Sequence, residues 1–148
     1  MLNRIVIGLV VGVLATVIFF NGAWALLQSG LGWLPAAAPK PWAYAPTVPP
    51  FGVPRMINLP FWGGVWGMVL SLVLARARGA AYWLGWTLLG AVALTLAGNF
   101  VVPLIKGQSV ADVTNAFSAL RFRNGLVLNG AWGLGAAILL RLSGQAPR

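Results

Sequence analysis

Residues Ile5–Leu27 read IVIGLVVGVLATVIFFNGAWALL. No charged side chain interrupts this stretch, and a helix rising ~1.5 Å per residue would carry it across a hydrocarbon core of ~30 Å. In water such a helix would have no polar face to show solvent. Gly8 and Gly12 stand four residues apart within it, the GxxxG spacing that lets two helices approach closely in lipid. Arg4 precedes the run. A second reading attaches to the same residues: Arg4, apolar Ile5–Phe20 and the triplet Ala23-Trp24-Ala25 also have the outline of a secretory signal with its cleavage site. The apolar stretch is long for a signal core of ~7–15 residues, so an uncleaved span is expected.

Three more charge-free runs follow, Met56–Ala75, Gly79–Ile105 and Asn124–Leu140. Each can hold a span of ~17–25 residues. The chain is 59% hydrophobic and 7% charged. A soluble domain carries about 25% charged residues, so this one is not built to face water on all sides. The expected fold is an all-α membrane protein of one domain, residues 1–148. It is a bundle of four transmembrane helices, about 5–27, 61–75, 80–102 and 126–140. The second is short, so Met56–Leu59 must help it cross or the bilayer must thin. Pro60 suits its first turn, after Asn58 as a cap. Pro103 is expected to end or kink the third span. Tyr82, Trp83 and Trp86 at its start read as an aromatic belt.

The chain has no His and no Cys, and Asp112 is its one acid. Imidazole and thiolate metal sites, haem ligation through either, and a Cys or Ser–His nucleophile pair are excluded. One chain also cannot supply a pair of carboxylates for acid–base work. A non-catalytic protein without cofactors is expected. The net charge of +9 does not make a nucleic-acid surface, because the basic residues are scattered between apolar runs. Arg4, Arg76, Arg78, Arg121, Arg123 and Arg141 lie at span ends, where arginines anchor to lipid headgroups.

Residues 28–60 hold eight prolines, Pro35, Pro39, Pro41, Pro46, Pro49, Pro50, Pro54 and Pro60. Proline removes a backbone donor and rules out a long helix. With Trp33, Trp42, Tyr44 and Phe51 the segment is too aromatic for a solvated linker, so it should lie on the interface or cap the bundle. Before the last span, residues 110–120 read as a short amphipathic interfacial helix. Ser109 and Asp112 form its capping box, and Val110, Val113, Phe117 and Leu120 its apolar face. Basic residues balance five to five across the membrane. Arg4 and the compact Arg76/Arg78 turn favour a cytoplasmic N-terminus.

A tetrapeptide recurs: Asn21-Gly22-Ala23-Trp24, Gly63-Gly64-Val65-Trp66 and Asn129-Gly130-Ala131-Trp132. Alternating span direction brings all three copies, and Asn99, to one half of the bilayer. Small residues let helices close up and asparagines bond across them, so this cluster reads first as packing glue with the tryptophans at the interface. Its second reading is a polar binding pocket between helices. Phe61-Trp62-Gly63-Gly64-Val65-Trp66-Gly67 and Asn129-Gly130-Ala131-Trp132 resemble small uncharacterised bacterial inner-membrane proteins. The resemblance implies a multi-pass protein of the bacterial inner membrane and no particular activity. The expected function is an accessory or scaffold subunit, or a self-associating bundle, whose partners are the bilayer and itself or another membrane protein. The alternative is a small channel or carrier for a neutral solute or anion.

Overall fold

The computed structural model of the protein describes residues 2–49 and 51–144. Pro50 and Arg148, which entered the loop and charge readings, lie outside the described residues. The chain is mostly helical. Four helices are long and apolar enough to cross a membrane: α1 (Leu2–Gly30), α2 (Arg55–Val73), α3 (Gly79–Ile105) and α5 (Ala119–Leu142). Between the last two lies the short α4 (Val110–Asn115), and strands β1 (Thr47–Val48) and β2 (Val53–Pro54) pair antiparallel in the first loop.

The helix bounds differ from the sequence reading in informative ways. α2 starts at Arg55 instead of 61, so its 19 residues rise about 28 Å. That is close to the ~30 Å of a hydrocarbon core, and Pro60 lies inside the helix instead of in its first turn. α3 does not end at Pro103. A widened turn at Ala97–Val101, closed by the Val102 N–H on the Ala97 carbonyl, comes just before the proline. Such a turn relaxes the crowding between the ring and the preceding carbonyls, and the helix runs on to Ile105. α4 is shorter than the expected 110–120. The chain breaks at Ala116–Ser118, and Ser118 Oγ then accepts the Arg121 N–H (3.4 Å) as the cap of α5. Leu120 therefore belongs to the last long helix.

α1 is central. It packs against α2 on one side and α5 on the other, and α5 packs in turn on α3. The α1–α2 contact is made by backbone: a Cβ on Gly12 would strike the Gly63 carbonyl, and one on Gly67 the Gly8 carbonyl. The GxxxG of α1 thus meets the glycines of α2 at main-chain distance, where dispersion contacts are densest.

The core lies where α1, α3 and α5 meet and contains Val11, Ala15, Tyr82, Trp86, Trp132 and Ala136. Tyr82 and Trp86 are both 0% exposed and Trp132 only 1%. They are not the interface belt that their positions near span ends implied. Two of these three buried polar tips have partners: the Tyr82 hydroxyl donates to the Ala137 carbonyl (2.7 Å), and the Trp132 indole to the Gly12 carbonyl (3.0 Å), while the Trp86 indole N–H has none among the described residues. The outward side chains are the reverse of a soluble protein's. Val6, Ile18, Phe61, Val73, Leu84, Leu88 and Val92 all stand exposed.

Candidate functional site

The asparagines fall into two hydrogen-bonding nodes that share no bond. In the first, Asn129 Nδ2 of α5 donates to Thr95 Oγ1 of α3 (2.9 Å), and Asn99 Nδ2 donates to the Thr95 carbonyl one turn back (2.8 Å). Thr95 is completely buried. In the second, Asn21, also completely buried, donates from Nδ2 to the Thr16 carbonyl (3.0 Å) and accepts from the Trp42 N–H (3.4 Å). Thr16 Oγ1 donates to the Gly12 carbonyl (2.9 Å). Asn99 and Asn129 are brought together through Thr95, while Asn21 serves the first loop.

That loop is bound tightly to the bundle. Trp42 has φ +57°, a left-handed conformation costly for a bulky side chain. It is held there by Asn21 and by its own indole N–H, which donates to the Val17 carbonyl (2.7 Å). Trp24, placed by the sequence at the lipid interface, instead donates to the Pro39 carbonyl (2.9 Å). Gln28 Nε2 donates to the Ala38 carbonyl (3.0 Å). From α5, Asn124 Nδ2 donates to the Trp33 carbonyl (3.4 Å), and the Arg123 guanidinium lies 4.0 Å from the Trp33 ring centre. The proline-rich segment is a cap.

The remaining motif residues divide by role. Gly63 and Gly64 are buried against α1, with Thr16 and Val13 in the space a side chain would take. Trp66 packs on the edge of the core. Gly22 has open space, and a Cβ on Gly130 would meet only Ala91 Cβ at an ordinary 3.5 Å. The close approach on α5 falls one turn later, at Gly133, where a Cβ would strike the Trp86 carbonyl.

The arginines also divide. Arg4 Nη1 donates to the Ala75 carbonyl (2.8 Å), joining the start of α1 to the end of α2. Arg141 lies 5.7 Å from the Trp83 ring centre. Arg76, Arg78 and Arg121 are exposed. Arg55 is only 7% exposed, with its guanidinium 4.4 Å from the Trp24 ring centre and Nη1 3.4 Å from the Lys40 carbonyl. Asp112 is exposed in α4. Its carboxylate accepts from Ser109 Oγ (2.6 Å) and the Ser109 N–H (3.1 Å), and these bonds hold its pKa below the usual carboxylate range.

Thr95 and Thr16 were not singled out by sequence, and Trp42 was read only as one of the aromatic residues of the loop. Thr95 had a signal, since it stands one helical turn before Asn99 and three and four residues apart is contact distance on a helix. The burial of Arg55 had none, because it is made by Trp24 and by the preceding loop folding back over the start of α2. The described side chains offer hydrogen bonding, close packing and fixed positive charge. Comparison with protein-family models, with curated proteins and with solved structures finds no match for this chain.

Proposed function

We propose that the protein is a non-catalytic multi-pass protein of the bacterial inner membrane, with its N-terminus in the cytoplasm, acting as an accessory or scaffold subunit or as a self-associating bundle. The observation that carries this reading is the state of α3. Its most apolar window is only 11% buried inside the chain, against 44% for α5. Leu84, Leu88, Val92, Leu96 and Val101 stand exposed along it, so α3 has apolar surface free for lipid and for another helix. The polar groups of the helices support the reading as well. Asn129, Asn99, Tyr82 and Trp132 bond to one another's helices or their own backbone, as cross-helix glue does. The exposed Arg76, Arg78 and Arg121, next to the ends of long apolar helices, are read as headgroup anchors.

Purification in mild detergent with mass measurement tests association. A particle of more than one chain, or with a stoichiometric second membrane protein, is expected, and a strictly monomeric, partnerless particle overturns it. Reporter fusions after Arg78 and after Arg148 should report the cytoplasm, and fusions within residues 43–53 the opposite side. A mature chain beginning near Leu26 would show instead that the first helix is a cleaved signal.

A further inference from the structure

The first turn of α2 brings together an enclosed cation and an unfilled helix end. Arg55, its first residue, is 7% exposed, and Nη2 is buried without a hydrogen-bond partner among the described residues. Nη1 has only the Lys40 carbonyl at 3.4 Å, a distance at the weak limit of a hydrogen bond. The guanidinium face rests on Trp24, 4.4 Å from the ring centre. A buried guanidinium without a counter-charge is costly. The chain has one acid, Asp112, and that carboxylate is committed to Ser109. Nothing described in the chain neutralises Arg55.

The helix end points the same way. The residue before Arg55 is Pro54, and no side chain caps α2. The Arg55 N–H is taken by the Tyr44 carbonyl (2.9 Å). The next N–H groups of a first turn have no intrahelical acceptor, and with the positive end of the helix they favour an anion. A guanidinium fork matches the oxygens of a phosphate group bidentately. With the membrane-spanning reading, the start of α2 also lies at the level of lipid phosphates.

We propose that Arg55 and the first turn of α2 bind a phosphate group, carried by a lipid headgroup or as a free anion. The ring of Trp24 backs the guanidinium, and the Lys40–Tyr44 segment covers the site. Nη2 is enclosed, so the anion enters as that segment shifts, replacing the long contact to Lys40 with shorter charge-assisted bonds. The headgroup source rests on the membrane-spanning reading, whereas the unmet charge of Arg55 does not.

The test uses the full chain in nonionic detergent and reads thermal unfolding with added sodium phosphate, with phosphatidylglycerol, or with sodium chloride at matched ionic strength. At one hundred times Kd, specific binding should raise the midpoint on the order of 5 °C. Arg55→Gln should abolish the rise, and Arg55→Lys should retain a smaller part of it. A rise with the lipid alone identifies a headgroup site, one with phosphate alone a free-anion site, and one with both a site for the shared group. If Arg55→Gln does not fold, the comparison of wild type with Arg55→Lys decides. The proposal is overturned if wild type shows no rise beyond chloride, or if the folded variants rise as much as wild type. Those outcomes leave the mass and fusion results untouched, so its failure is distinguishable from failure of the membrane reading.

Discussion

The indole N–H of Trp132 donates to the carbonyl of Gly12, 3.0 Å away and 120 residues earlier in the chain. This bond ties α5 to α1 beside the point where α1 meets α2 at backbone distance. The same carbonyl also accepts from Thr16 Oγ1, so losing the indole does not orphan it. Trp132→Phe should therefore cost only about 1 kcal/mol, whereas Trp132→Ala, which also opens a cavity beside Trp86, should cost ~3–5 kcal/mol. Reversible unfolding in mixed detergent micelles measures both. Equal losses would mean that packing around the ring contributes little.

The two glycines of the last helix should behave differently. Gly133→Ala places a methyl against the Trp86 carbonyl, while Gly130→Ala meets only Ala91 at 3.5 Å. The first should destabilise by ~1–3 kcal/mol and the second by no more than ~0.5 kcal/mol. The reverse order, by the same unfolding assay, would place the close approach of α3 and α5 elsewhere.

Thr95 should couple to one asparagine and not the other. Asn129 bonds its hydroxyl, and Asn99 bonds its carbonyl. A double-mutant cycle of Thr95→Val with Asn129→Ala should return about 0.6 kcal/mol, the average for such bonds between membrane helices. The cycle of Thr95→Val with Asn99→Ala should return close to zero. Matching coupling energies would contradict the separation of the two contacts.

The loop should open when its indole latch is removed. Trp42→Phe keeps a ring on the cap but deletes the N–H that reaches the Val17 carbonyl. One hydrogen bond of about 1 kcal/mol corresponds to roughly five-fold more of the open form, so a nonspecific protease should cut residues 31–49 several-fold faster. An unchanged cleavage rate would assign the latch to the loop's other contacts, those of Asn21, Trp24, Gln28, Arg123 and Asn124.

The cap of α4 should be lost in acid. Ser109 bonds hold the Asp112 pKa below its usual value, so the unfolded helix binds this proton more readily than the folded one. The stabilisation is thus complete above the unfolded pKa of ~3.9 and fades as pH falls through the lower folded value. A carboxyl-carbon NMR titration of Asp112 should give a midpoint below ~3.9, shifting back up in Ser109→Ala. A midpoint at or above the usual value would show that the capping box does not persist in solution.

Much of the architecture was legible in the chain itself. Charge-free runs showed where the four long helices lie, because the cost of burying charge in lipid and the length needed to cross it are local properties. Eight prolines announced the cap, and Ser109 with Asp112 announced the start of α4. What the tertiary structure alone decided is which residues meet. The order α2–α1–α5–α3, the burial of Tyr82, Trp86 and Trp132, the choice of Gly133 over Gly130, and the enclosure of Arg55 by Trp24 and Lys40 had no one-dimensional signature. The physical reason is that a helix apolar on every side has no amphipathic stripe to mark its inner face. In a soluble protein water selects that face. In a bilayer, as the membrane-spanning reading has it, lipid tails and protein interior are equally apolar, and the choice falls to shape: backbone approach at glycines, and the few carbonyls within reach of an indole, a phenol or an amide.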